Sequence, residues 1–159
     1  MNDVRPRDKD PYLSARFAVE FDGTIVAGFS EVNGLQVEVE VEEYREGGLN
    51  GHVHHFAGKV RYPARLVLKH GFADSRELWD WQNEIVKGQV RRRNVSIVLR
   101  NGEGDEKARW NVVGAYPVKW SGPDFRANAA EVALETLELV HRGFSRENEE
   151  DYRGPRRSR

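Results

Sequence analysis

The stretch 35-LQVEVEVEEYREGG-48 alternates valine and glutamate from Val37 through Glu42. A period of two places successive side chains on opposite faces of an extended strand, whereas a helix would scatter both residue types around its surface. The stretch therefore predicts a strand over about 36–44, with one apolar face and one file of carboxylates at Glu38, Glu40 and Glu42. A strand of this kind belongs in a sheet whose two sides are unlike, one packed and one wet.

The same period recurs along the chain. Phe17, Val19 and Phe21 alternate up to Asp22-Gly23, and Ile25, Ala27 and Phe29 alternate beyond it. Asp-Gly between two such runs predicts a hairpin, because a type I′ turn requires positive φ at both central residues. Residues 45–57 read as an irregular, glycine-bearing connection, and 58–69 as a further strand. Pro63 removes one ladder hydrogen bond there, which predicts an edge or bulged strand. Strands are also expected near 94–100 and 108–118, with Asn101-Gly102 opening the loop between them.

One helix interrupts this series, 74-DSRELWDWQNEIVKG-88. Asp74 with Glu77 three residues on resembles a capping box, and Gly88 supplies a stop. Leu78, Trp81, Ile85 and Val86 share one face, with Trp79 at its rim, so the helix is expected to lie on a sheet through its tryptophans. The segment 130-AEVALETLELVHRGF-144 is ambiguous. Its Ala, Leu and Glu favour a helix, while Val132, Leu134, Thr136 and Val140 alternate.

Composition sets the outer bounds. The chain of 159 residues is the size of one domain, with a charged arm at 1–11, a folded part at 12–144 and a charged tail at 145–159. The tail is expected to be disordered, since it holds one aromatic and no aliphatic residue. Acidic and basic residues nearly cancel, for a net charge of −1, so no global field draws the chain to nucleic acid or anionic membrane. With no cysteine there is no disulfide, thiol nucleophile or sulfur-based zinc site. The first 30 residues lack the apolar core of a signal peptide, and no run is long enough to span a bilayer, so no membrane insertion is expected.

Each trace of chemistry has a plainer counterpart. In 52-HVHH-55, His52 and His54 point the same way on an extended chain, but zinc requires a third protein ligand and neither His70 nor His141 has suitable spacing. The alternative is an exposed loop rich in histidine. The stretch 18-AVEFDGTIV-26 resembles the first motif of haloacid-dehalogenase-type phosphatases, except that Glu20 occupies the position of the nucleophilic aspartate. The extra methylene misplaces the attacking oxygen, and alternation on both sides makes Asp22-Gly23 a plain hairpin. The run 91-RRR-93 near Trp79 and Trp81 suggests nucleic acid, against which stands the use of those tryptophans in the core. No nucleophile elbow or phosphate loop is present. Catalytic residues, metal and cofactors are accordingly all expected to be none.

Taken in order, several phrases resemble the tail tube proteins of contractile phages and contractile injection systems, which are related in fold to the type VI secretion tube. They are 16-RFAVEFDGTIVAGFSEVNGL-35, 42-EEYREGG-48, 66-LVLKHG-71, the Trp79 helix, 110-WNVVGAYPVKWSGPDFRA-127 and 131-EVALETLELVHRGF-144. The resemblance spans about residues 12–144. It implies a mainly β fold, a barrel or sandwich of about seven strands with one flanking helix. It makes 131–142 a strand and implies hexameric rings stacked into a hollow tube. The implied role is structural rather than enzymatic: the inner tube through which DNA or effector protein is delivered. The implied partners are further copies of the chain, a contractile sheath, baseplate or hub and terminator proteins, and the cargo. Assembly would take place in the cytoplasm before incorporation into a virion or injection particle.

In that family a long hairpin reaches from ring to ring, here about 40–62. Tyr44, Arg45, Glu46, Gly47 and Gly48 near its start, and Gly71, become candidate oligomer contacts. The glycines allow backbones to approach closely, and the Pro63 strand is a candidate joint. Glu38, Glu40 and Glu42 become candidates for the lumen wall; the alternatives place them outside or pair them with Arg61, Arg65 or Lys69. The charged tail and the histidine-rich loop depart from the family pattern and favour, as the alternative, a tube-initiating or baseplate adaptor ring. A small β-barrel binding module is the alternative from a different class.

Overall fold

A computed structural model of the chain describes residues 16–148 apart from Glu46, Leu49, Asn50, His52, residues 73–75 and Ala129. The arm at 1–11, most of the tail and the capping residue Asp74 lie outside the described residues. Ten strands and one helix follow in order: β1 (Phe17–Phe21), β2 (Thr24–Val26), β3 (Phe29–Asn33), β4 (Glu38–Tyr44), β5 (His54–Arg61), β6 (Leu66–Gly71), α1 (Glu77–Val86), β7 (Arg93–Arg100), β8 (Glu106–Ser121), β9 (Leu134–Val140) and β10 (Gly143–Asn148).

Eight strands form one antiparallel sheet: seven follow the path β2-β1-β7-β8-β9-β6-β3, and β10 pairs with β8 off that path. The path folds into two layers because β8 serves both. Its first half pairs with β10 as far as Val113 and with β7 as far as Ala115, and Tyr116–Ser121 pair with β9. Gly114, with φ of 61°, sits at this junction beside a register shift opposite Asn94. The result is a β-sandwich with one helix.

The core lies between the layers. Burial alternates residue by residue along β6 and β9, which brings Leu66, Leu68, Leu137 and Leu139 inward to meet Val19, Phe21, Val95, Ile97 and Val112. Each such side chain contributes about 1.5–3 kcal/mol on burial. The ambiguous segment is thus a strand, because its alternation meets a sheet that already offers a matching edge at β6.

Helix α1 inserts Leu78 and Trp81 into the core, where the Trp81 ring meets Phe21 at 5.5 Å and its Nε1 donates to the Arg91 carbonyl at 2.8 Å. The helix is shorter at its start than the sequence predicts. It opens at Glu77, with Arg76 in the cap position and no side-chain cap bond. Glu77 is engaged by Arg93 instead. Val86, expected on the packed face, is mostly exposed.

The Asp22-Gly23 turn has φ of 50° and 83°, as the hairpin requires. Three strands separate what the sequence pattern joins or omits, which raises the count from about seven to ten. The run 25–29 breaks at Ala27-Gly28, so that β2 lies at one end of the path and β3 at the other. The run 58–69 breaks at Tyr62-Pro63. Pro63 marks a change of sheet rather than an edge: β5 leaves the body and β6 becomes an interior strand between β9 and β3. The expected boundary at 144 falls inside β10, which continues to Asn148 along β8.

Candidate functional site: an unpartnered β-ribbon

Among the described residues, β4 and β5 pair only with each other. Glu38 lies opposite Arg61, Val39 opposite Val60, Val41 opposite Ala57, Glu42 opposite Phe56, Glu43 opposite His55 and Tyr44 opposite His54. Between Val39 and Val41 the register shifts, so that Gly58 and Lys59 together face Glu40. A bulge of this type sharpens the local twist. Gly58 sits so close that a Cβ there would come 3.1 Å from the Glu40 carbonyl oxygen.

The register fixes the two faces. One carries Val39, Val41, Ala57 and Val60, followed toward the turn by Glu43 and His55. None of these is covered: Val41 is 61% exposed, Val60 56% and Val39 49%. The other face carries Glu38, Glu40 and Glu42 near its base, with Tyr44, His54 and Phe56 toward the turn. The His54 and Phe56 rings stack at 6.4 Å. The glutamate file is therefore not uniformly acidic. Arg61 forms an ion pair with Glu40, and aromatic side chains take over beyond Glu42. The other two cations considered as partners are used in the body, Arg65 on Glu138 at 2.9 Å and Lys69 on Glu31 at 2.8 Å.

Of the other candidate contact residues, Arg45 follows β4 and is exposed, and Gly47 and Gly48 form the turn beyond it, where a Cβ would meet open space. Glu46 lies outside the described residues. Gly71 is not part of this ribbon: it ends β6, opposite Leu134, and its N–H donates to the Gly28 carbonyl at 2.9 Å. The ribbon's tie to the body is Gly34, at the end of the β3 segment. With φ of +100° and a Cβ position 1.9 Å from the Arg65 carbonyl oxygen, this position admits no side chain.

An isolated two-stranded ribbon is marginal in water. A row of exposed valines is an unmet demand for a partner surface, and it is such contiguous patches, not scattered apolar residues, that mark interaction sites. The sequence pattern identified the valine file but left it to be covered by the chain's own core. The missing signal is pairing: the strand opposite, 54-HHFAGKVR-61, also carries its apolar residues outward.

The catalytic look-alikes are all consumed structurally. Asp22 Oδ1 accepts from the Asn94 N–H at 2.9 Å and Oδ2 accepts from Arg93 Nε at 3.0 Å. Partial burial opposes ionisation, yet these donors hold the Asp22 carboxyl below its ordinary range. Glu20 is nearly buried and bonded by Arg109 at 2.6 and 3.2 Å. In the arginine run, Arg93 lies over Phe21 and Trp81, Arg92 over Tyr116 at 4.8 Å, and Arg91 against Glu84 at 3.5 Å. His54 and His55 point to opposite faces of β5, His52 lies outside the described residues, and among those described no three metal-ligating groups converge. Nor, among them, is any helix long and apolar enough to cross a membrane.

Comparison with known proteins agrees with this geometry. No curated protein matches the chain. Among solved structures, a chain in the cryo-EM structure of the anti-feeding prophage baseplate shares 28% identity at a TM-score of 0.78, covering 88% of this chain and 97% of that one. A chain in the sheath-tube complex of the extracellular contractile injection system PVC, in its extended state, shares 27% at 0.78, covering 88% and 93%. A chain in the tube-terminating cap of the anti-feeding prophage shares 25% at 0.80, covering 92% and 96%. The family described as T4-like virus tail tube protein gp19 matches residues 13–145, most of the described body and the whole ribbon. The chain belongs to that tail tube family.

Proposed function

We propose that this chain is a structural subunit of the inner tube of a contractile tail or contractile injection system, and that it acts by binding copies of itself. The observation that carries this reading is the unpartnered ribbon of a tail-tube-family chain, whose valine face lies open on an otherwise well-packed body. Ring closure joins unlike faces of neighbouring subunits, and stacking repeats the contact without limit, so a projecting apolar ribbon suits a contact between rings. Six subunits to a ring are proposed from the family resemblance. Sheath, baseplate and terminator proteins are the proposed partners outside the ring.

With the valines against a second copy, the opposite face of the ribbon remains wet. Glu38 and Glu42, both exposed, are our candidates for the channel wall, where negative charge repels DNA phosphate or acidic protein and lets cargo slide. Glu40 contributes less, being paired with Arg61. Nothing in the arrangement calls for turnover, and we propose no enzymatic role.

A second reading is favoured by the similarity to a chain of the tube-terminating cap, which is as close as that to the sheath-tube complex. On this reading the chain forms one ring at an end of the tube. Electron microscopy of concentrated protein separates the two. Stacked rings or tubes are expected for the repeated subunit, and a single ring only on a partner for the end ring. The double substitution Val39→Asp with Val41→Asp should abolish stacking while leaving the thermal midpoint unchanged. A parent chain that stays monomeric at every concentration, with and without partner proteins, overturns both readings.

A further inference from the structure

Three strands and a connector meet at one imidazole. His70 of β6 is 4% exposed, and Glu135, opposite it in β9, is 3% exposed. His70 Nε2 lies 2.7 Å from the Ala27 carbonyl oxygen, and Nδ1 lies 3.1 Å from Glu135 Oε1. Trp120 Nε1, from β8, donates to Glu135 Oε2 at 2.9 Å. A carbonyl oxygen has no proton to give, so Nε2–H is the donor to Ala27. A neutral imidazole then has only a lone pair at Nδ1, and an ionised carboxylate offers only lone pairs in return. In such dry surroundings that contact is repulsive. It becomes a bond only when one more proton lies between the two atoms.

We propose that the folded chain holds a proton between His70 Nδ1 and Glu135 Oε1, and that this proton latches the Ala27–Gly28 connector onto β6. The imidazolium–carboxylate and imidazole–carboxylic acid forms are two placements of the same proton. The latch is independent of tube assembly, since every group in it comes from one chain.

The connector matters because it is the crossing from β2 in one layer to β3 in the other. Gly28 has φ of +90°, and a Cβ there would come 2.9 Å from His70 Nε2, so the ring rests directly on the backbone. The Gly71 N–H closes the contact on the Gly28 carbonyl at 2.9 Å, and the Phe29 ring lies 4.8 Å from the imidazole. The crossing between the two terminal strands of the path is thus pinned to β6 through His70.

Removing the proton sets a buried carboxylate against a lone pair, and the crossing is released. The charged neighbours are few. Glu77 of α1 lines the same groove as His70 but is engaged by Arg93. Lys69 of β6 is engaged by Glu31. β8 contributes Trp120 and β3 contributes Phe29, neither of which titrates.

The substitution Glu135→Gln provides the test. A glutamine amide donates to Nδ1 and accepts from Trp120, so every bond is kept without the shared proton. NMR of the full chain, labelled in histidine nitrogen and glutamate carboxyl carbon, reads the proton directly. Gly71 amide exchange reads the crossing. The parent should show either both His70 nitrogens protonated or a bare Nδ1 facing a protonated Glu135, with Gly71 protected. Glu135→Gln should keep Gly71 protected while leaving Nδ1 bare. His70→Ala should leave Gly71 unprotected. A bare Nδ1 opposite an ionised Glu135 in the native spectrum, or a His70→Ala chain with Gly71 as protected as in the parent, overturns the proposal.

Discussion

β6 and β4 are built on the same rule and come to opposite ends. Leu66, Leu68 and His70 alternate with Val67, Lys69 and Gly71, and every second residue is buried. Val39 and Val41 alternate as strictly with glutamates, and both valines stay open to solvent. The difference is not in the strand but in what faces it. β6 lies between two strands and beneath a second layer, whereas β4 has one neighbour as exposed as itself. Periodicity states that a face is apolar; it does not state which molecule covers it.

The contrast can be broken most forcefully by deleting the same kind of side chain from each region. Leu137→Ala opens a cavity between the layers and should cost about 2–5 kcal/mol. Val41→Ala removes nothing packed within the chain and should stay within about 0.5 kcal/mol. Chemical denaturation of both variants, under conditions that keep the protein unassembled, checks the pair. A loss at Val41 comparable to that at Leu137 would mean that the ribbon folds back onto its own body.

Acid sharpens the contrast with a smaller effect. Asp22, Glu106 and Glu138 are body carboxyls held below their ordinary range. For Asp22 burial opposes this, and the Asn94 N–H and Arg93 prevail; for Glu106 the cause is Arg109, and for Glu138 it is Arg65. Each contributes stability that is complete above the ordinary carboxylate range and is lost as pH falls through the depressed folded value. Asp22→Asn should therefore cost less than about 1 kcal/mol at neutral pH, the scale of a largely solvated pair. It should cost nothing once the pH lies below both values. Thermal midpoints against pH read this as a shallower acid limb. An unchanged acid limb would show that Asp22 acts only as a hydrogen-bond acceptor.

Much of the body could be read from the residues alone. Asp22-Gly23 announced its turn, and the alternation along 66–71 and 134–140 announced two packed strands. The sheet changes at Ala27-Gly28 and at Pro63 could not be read, because the alternation has the same phase on both sides of each break. What separates the halves is tertiary, a glycine that lets His70 touch the backbone and a proline where the chain leaves one sheet for another. β10 was hidden by its composition. Ser145, Arg146 and Glu147 cannot fund a core, yet the strand is held by its ladder to β8, by Arg146 over Trp110 and by an Asn111–Glu147 bond at 2.9 Å. The residues alone read as a strand followed by an irregular connection at 45–57; the hairpin over about 40–62 came from the family resemblance, and what covers its valine face is not part of the sequence.

The smallest expected effect on the chain itself lies on the glutamate face. Reversing Glu38 and Glu42 to lysine should change stability by no more than about 0.5 kcal/mol, because both positions are exposed. Tubes should still form on micrographs. The change should appear in delivery, where a positive wall retains acidic cargo. Loss of tubes in this variant would instead assign the glutamates to the contact between copies.

β8 has a consequence for load. Sixteen residues of one continuous backbone run through both layers, so neither layer can slide past the other without shearing ladders on both sides of the same strand. A close-packed interior yields little to compression. Thrust arriving at one end of the sandwich is therefore passed to the other as through a stiff spar, whereas the ribbon, whose two strands pair only with each other, is the least braced part of the described chain.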